Sequence, residues 1–306
     1  MSAFSDNTHC SAETMTFIDH HSVPWSRVRR TRYWMHQRFH YTYPGPVREI
    51  RQRLVVVPAD CYGDQRLCEF DLRVSAHNAA TSATVDPFGN RVFHVYVPEA
   101  DSEITFEAHI VVERDLAVDT QPCLSAREAL VYTEPTRLTA ADEVIMRAAK
   151  ALAAQHRQPL ELADAINTWV WEAMSYGAGS TGVKTTAAEA LTIGRGLCQD
   201  YAHIMLALCR SIKLPARYVS GHMLGEGGSH AWVEVLLPDP SGNYHAVAFD
   251  PTNHRRATPA YITVASGRDY ADVSPTSGSF IAPYAGLLTS SKRAGLTHVA
   301  YHDEAA

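Results

Sequence analysis

At Pro215 the chain changes period. Upstream, Ala202, Met205, Cys209 and Ile212 recur at helical spacing until the proline ends the run. Downstream, residues 216–222, 229–237 and 244–250 alternate as strands do, separated by the turn-forming stretches GEGG and PDPSGN. A helix followed at once by three strands on short turns leaves few folds open. The strands are close enough in sequence to pair antiparallel, and the helix must bury its apolar stripe against them. We therefore expect an α+β arrangement, a central helix on an antiparallel sheet.

The same stretch carries candidate chemistry. In residues 194–203, GRGLCQDYAH, Cys198 follows a glycine-rich turn and stands at the head of the helix. There the unpaired N–H groups and the positive end of the helix dipole favour an anionic sulfur, which is a nucleophile's position. In the middle strand Ala231, Val233 and Val235 point to one face, while His230, Trp232 and Glu234 point to the other. His230 thus leaves the apolar face, just after Gly227 and Gly228. Asp250 ends the third strand before Pro251. The order Cys198, His230, Asp250 supplies a nucleophile, a base and an orienting acid. Asp200 suits the first helical turn as a dipole partner, and His203 suits packing against the sheet. With no CxxC pair and no HExxH, we expect no metal and no cofactor.

The run GRGLCQDYAHIMLALCRSIKLPARYVSGH, continued by HAWVEV and FDPTN, resembles the transglutaminase-like superfamily of papain-type cysteine enzymes, in its bacterial branch. The segment GRDYADVSPTSG at residues 267–278 and DPFGN at residues 86–90 also resemble bacterial members with a β-rich N-terminal region. The resemblance implies a papain-like core with Cys198, His230 and Asp250 as triad, a thioester intermediate and a peptide or protein substrate. It places one oxyanion donor at the Cys198 backbone and the second on a side chain upstream, with Trp171, Ser175 and Tyr176 eligible and Tyr176 the first choice. Relatives that carry zinc hold it with CxxC pairs, which are absent here. Hydrolysis of peptide or amide bonds is the expected reaction, because cross-linking needs a second, water-shielded entrance and no additional domain is evident to build it. A protein-glutamine transamidase, or a binding module that retains the triad without turnover, are the alternatives.

At 306 residues the chain exceeds one typical domain of roughly 150 residues. Residues 1–32 read as a mobile extension and residues 33–120 as an all-β, sandwich-like domain of about seven strands. Those strands include residues 38–43, 48–57, 66–75, 91–97 and 103–113, with DPFGN as a hairpin turn. Cys68 alternates with Glu69 and Asp71 as a core filler would. Residues 121–138 read as a connection and 139–306 as the catalytic domain. Within the latter, Thr139 is expected to cap a helix reaching Gln155, and a second helix over residues 160–174 buries Leu162, Ile166, Trp169, Val170 and Ala173. After a loop at 177–185, Thr186 and Glu189 form a capping box for a short helix ending at Gly194. Residues 256–279 look loop-rich and 296–302 like a late strand. A net charge of −6 provides no basic field for nucleic acid, and Arg27, Arg29, Arg30 and Arg32 read as a tail or sheet rim. No run is apolar enough for a membrane span or an export signal, and the six scattered cysteines read as free thiols, so a cytoplasmic setting is expected.

Overall fold

The computed structural model describes residues 15–117 and 122–302. Its first part is a β-sandwich built from β1 (Val28–Thr42), β2 (Val47–Leu54), β3 (Cys61–Tyr62), β4 (Gln65–Val74), β5 (Ala80–Val85), β6 (Arg91–Ala100) and β7 (Glu103–Asp115). One sheet runs β1-β7-β4-β3, the other β2-β6-β5. The alternation of β7 does what it implies: Ile104, Phe106, Ala108, Ile110 and Val112 are buried, against Met35 and Phe39 of β1 and Ile50 and Leu54 of β2. In the β5–β6 hairpin the Asp86 carboxylate accepts the N–H groups of Phe88 and Asn90, both at 2.9 Å, and Gly89 takes the left-handed conformation the DPFGN turn needs (φ 83°).

Two expectations are corrected here. Residues 15–32 are not a free extension, because Ile18 bridges to Leu296, a 3-10 turn spans Trp25–Arg27 and β1 begins at Val28. The charge that made this stretch look like a tail lies on the outer sheet face, where Arg30 and Arg32 pair with Asp115 and Glu113 of β7. Residues 1–14 lie outside the described residues. Cys68 is no core filler either, since a register shift between Leu67 and Glu69 leaves it half-buried at the bulge.

The α+β core follows. β8 (Cys123–Ser125) and α1 (Ala126–Leu130) lead into α2 (Glu143–Gln155) and α3 (Pro159–Ala173), then β9 (Ser175–Tyr176), α4 (Ala187–Ile193), β10 (Arg195–Gly196) and α5 (Cys198–Ser211). An antiparallel sheet comes next: β11 (Ala216–Met223), β12 (His230–Pro238), β13 (Asn243–Asp250), β14 (Arg255–Arg256) and β15 (Tyr261–Gly267), in the order β14-β13-β12-β11-β15, before the short α6 (Tyr270–Val273). Helix α5 is buried from Asp200 to Arg210, packed on the sheet with α2, α3 and α4 around it. The expected central helix on an antiparallel sheet is therefore the observed architecture. Asp142, not Thr139, caps α2, accepting the Ile145 N–H at 2.9 Å. The Thr139 hydroxyl is instead buried and accepts from Arg210 at 2.7 Å. The supposed connection is partly sheet, because β8 pairs with β13. The supposed loop at 256–279 contains β15, which shows no alternation because both of its faces are covered.

The chain then returns to where it started. β16 (Thr276–Ile281) pairs with β2, and β17 (Leu287–Tyr301) pairs with β1 over almost its whole length, completing sheets of four and five strands. The division of the chain at 121–138, with everything after 139 in one catalytic domain, is thus corrected: residues beyond Pro275 belong largely to the sandwich. The two layers are joined by buried polar contacts. β15 is an edge strand, and side-chain amides from the sandwich act on it as a neighbouring strand would. Gln65 donates to the Thr263 carbonyl (2.8 Å) and accepts its N–H (3.0 Å), while Asn90 does the same at Ser266 (2.7 and 2.8 Å). Beside them Tyr62 donates to Glu234 (2.6 Å), which also pairs with the buried Arg217 (2.7 Å).

Candidate active site

The position of Cys198 is set by what precedes it. The Thr186–Glu189 capping box forms as its sequence implies, and Gly194 ends α4 in the left-handed region (φ 68°), turning the chain into β10. There Gly196 lies beside Tyr176 of β9 in a short parallel pair. A Cβ at Gly196 would come within 2.5 Å of the Asp200 carboxylate, so glycine is required. That carboxylate is buried and accepts the Leu197 N–H and the Thr181 hydroxyl, each at 2.7 Å. Asp200 thereby ties down the first turn of α5, a structural role in keeping with its sequence reading. Cys198 is left as the first residue of the helix, half-buried, with its own N–H among those a helix cannot pair internally.

Strand pairing brings the partners. His230 opens β12 opposite Gly221 of β11, and its side chain is almost fully buried. Its Nε2–H donates to Asp250 Oδ2 at 2.7 Å, and Asp250, the last residue of β13, is completely buried. Cys198 lies within hydrogen-bonding reach of the same imidazole, and Glu226 Oε2 stands 3.2 Å from Nδ1. Burial opposes a charged imidazole, yet the bonds to Asp250, Cys198 and Glu226 outweigh it and raise the His230 pKa strongly. Burial likewise opposes the Asp250 carboxylate, and its hydrogen bonds to His230, Asn253 and Tyr261 more than compensate, holding it below the usual carboxylate range. The three residues that sequence spacing singled out are brought together from α5, β12 and β13.

Sequence reasoning missed the groups around them. Tyr261, from the unrecognised strand β15, donates its hydroxyl to Asp250 at 2.6 Å and accepts from Arg255 at 2.9 Å. The Asn253 side chain donates to the same carboxylate oxygen at 2.8 Å, and the backbone N–H groups of Thr252 and Asn253 donate to the other (3.0 and 3.2 Å). The DPTN turn was a signal for that cradle; nothing in the sequence flagged Tyr261. Trp232 stacks 6.3 Å from the His230 ring and is itself buried edge-on to Tyr261.

Of the three upstream side chains eligible as oxyanion donor, the structure places them differently. Trp171 is stacked on His254, 4.7 Å between centroids, and Ser175 points to solvent. Tyr176 is paired beside Gly196, two residues before Cys198, and 61% exposed. Partial burial and the neighbouring Cys198 raise its pKa, so at neutral pH it keeps a proton to donate. His203 is buried in α5, and its Nε2 accepts the Tyr270 N–H at 3.2 Å, a packing role as expected. Cys209 is fully buried, and burial pushes its thiol up to about 12.

Comparison with known proteins agrees with the fold that holds these residues. The family model for the transglutaminase-like superfamily matches residues 147–251, and that for the bacterial transglutaminase-like N-terminal region matches residues 33–113. Uncharacterized proteins of Mycobacterium tuberculosis and Mycobacterium bovis are 30% identical over 284 residues, covering 84% of this chain and 89% of theirs. An uncharacterized Mycobacterium leprae protein is 36% identical over 157 residues, 48% of this chain and 54% of its own length, so the chain matches about half of that relative. Among solved structures, a Cytophaga hutchinsonii protein described as a candidate cysteine protease shares the fold, with a TM-score of 0.72 at 18% identity over 90% of this chain and 94% of that one.

Proposed function

The chain belongs to the transglutaminase-like superfamily, and on that footing we propose that it is a cysteine-dependent acyl-transfer enzyme that hydrolyses peptide or amide bonds. The observation that carries this reading is the convergence of Cys198, at a helix N-terminus, with an imidazole whose other nitrogen is held by a buried carboxylate. The Cys198 sulfur attacks the substrate carbonyl carbon, and His230, holding the proton at Nδ1, passes it to the departing amine. A thioester on Cys198 remains. His230, now neutral, takes a proton from water, whose oxygen displaces the sulfur and releases the acid. Asp250 keeps the imidazole in the orientation that presents Nδ1 to the sulfur. The Cys198 N–H and the Tyr176 hydroxyl are assigned to the tetrahedral oxyanion. Water is favoured over an amine as acceptor because Cys198 is only half-buried and Tyr176 stands open to solvent, so the thioester faces water.

The test is alkylation followed by turnover. Iodoacetamide at neutral pH should label Cys198 far faster than Cys209 in the folded protein, as read by peptide mapping. With peptide, isopeptide and glutamine substrates, acid quenching should trap an acyl group on Cys198, and added primary amine should divert little of it from hydrolysis. Predominant amine incorporation would make the protein a transamidase. Equal labelling of the two thiols, or turnover by folded Cys198→Ala, would remove the nucleophile assignment and leave a binding module.

A further inference from the structure

On the outer face of the five-stranded sheet, β1 and β7 place two histidines directly opposite each other. The register pairs His36 with His109, and their rings stack at 4.5 Å between centroids with an interplanar angle of 29°. Glu107, two residues along β7, shares that face. His36, His109 and Glu107 each offer a ligand atom, and these atoms lie within 4.8 Å of one another; all three residues are half-buried. A tetrahedral ion bound at ~2.1 Å sets its ligands roughly 3.4 Å apart, so side-chain rotation of under ~1 Å each would close the set. The strands that hold the ligands are the paired centre of a sheet, hence a rigid platform. The Trp34 ring flanks both imidazoles at 6.0 and 5.9 Å, an apolar wall on one side.

We propose that His36, His109 and Glu107 form a binding site for a borderline divalent transition-metal ion such as Zn²⁺ or Cu²⁺, with water completing the coordination. Two imidazoles and one carboxylate are the donor set such ions take, whereas Mg²⁺ and Ca²⁺ select oxygen ligands. Arg38 sits opposite Glu107 and bonds its Oε1 at 3.1 Å, which leaves Oε2 for the ion and makes Arg38 a competitor of the metal. An ion here would clip β1 to β7 and stabilise the folded chain by mass action. The site is independent of the proposed catalytic reading, so either can fail without the other.

The experiment uses the full chain without a histidine tag, stripped by chelator and titrated with ZnCl₂ and CuCl₂. Calorimetry should show one saturable equivalent, Cu²⁺ should quench the fluorescence of Trp34, and Zn²⁺ should raise the melting temperature. His36→Gln and His109→Gln should each weaken binding at least ~10-fold, since even outer-shell partners are worth that much. Glu107→Gln should weaken it less, and Arg38→Gln, which leaves the ligands intact, should tighten it. Absence of a saturable equivalent in the wild-type protein would overturn the proposal. So would binding that survives both histidine variants, confirmed folded by circular dichroism, but is lost in His20→Ala, which belongs to the separate Asp19–His20–His21 cluster.

Discussion

The buried carboxylate of Asp250 accepts five hydrogen bonds, from His230, Tyr261, Asn253 and two backbone N–H groups. Removing one neutral donor should therefore loosen the imidazole without releasing it. Tyr261→Phe should cost about 1.5–3 kcal/mol of stability, typical of a hydrogen bond to a charged group, and lower kcat by roughly 10-fold with KM unchanged. A decline in KM alone would contradict a positioning role. Asp250→Asn should be far worse, up to ~10⁴-fold where the acid controls the tautomer, though a thiol nucleophile leans on it less. Titration of buried groups also sets a pH window. His203 and His222 are buried and pushed down to about 3 from 6.5, so the unfolded chain takes up protons that the folded one refuses, and stability is lost as pH falls below 6.5. His230 is shifted the opposite way, so its contribution is complete below 6.5 and declines as pH rises through its elevated folded value. Urea midpoints should thus be higher at pH 6.5 than at 4.5 or 8.5, and His230→Gln should flatten the alkaline side; an undiminished alkaline fall in that variant would contradict the assignment. Cys198, His230 and Asp250 were legible in the sequence because punctuation marks them: a glycine turn, a glycine pair and a proline. Tyr261 was not, since its partner lies across the sheet and its own strand went unrecognised.

At the scale of elements, what was legible was period. The three strands after Pro215 and the short helix before Gly194 appear where alternation and capping put them. β15 escaped because Ile262 packs in the sandwich core while Ala265 packs in the helix-side core, so neither face carries polar residues at a two-residue interval. The contact between β11 and β15 is unusually close at Gly221, where an added Cβ would stand 2.0 Å from the Ile262 carbonyl oxygen and 2.6 Å from Trp232. Backbone cannot yield as a side-chain tip can. Gly221→Ala should therefore destabilise by about 1–3 kcal/mol, the usual penalty of overpacking, and should disturb the indole that stacks beside His230. Measured by denaturation and by near-ultraviolet circular dichroism, a neutral outcome would mean that the two strands separate more easily than their burial implies.

At the scale of the molecule, the sequence suggested two consecutive domains and the structure shows one nested in the other. Local pattern finds elements; it carries no record that β17 pairs with β1, more than two hundred residues earlier. The amide contacts of Gln65 and Asn90 and the Tyr62–Glu234–Arg217 cluster further bind the layers. Calorimetry should accordingly show a single unfolding transition, and a chain ended at Ser274 should fail to give a stable sandwich even though it retains Cys198, His230 and Asp250. Two resolved transitions would show the layers to be energetically separate. The nesting also has a consequence in time. On the ribosome, β1 waits for a neighbour, β17, that is made after Cys198, His230 and Asp250, and holds its long edge unpaired while those three residues emerge. A nascent chain in this state has the three proposed reactive groups and an unfinished scaffold, so the onset of the proposed activity is expected to follow synthesis of β17 rather than that of Cys198, His230 and Asp250.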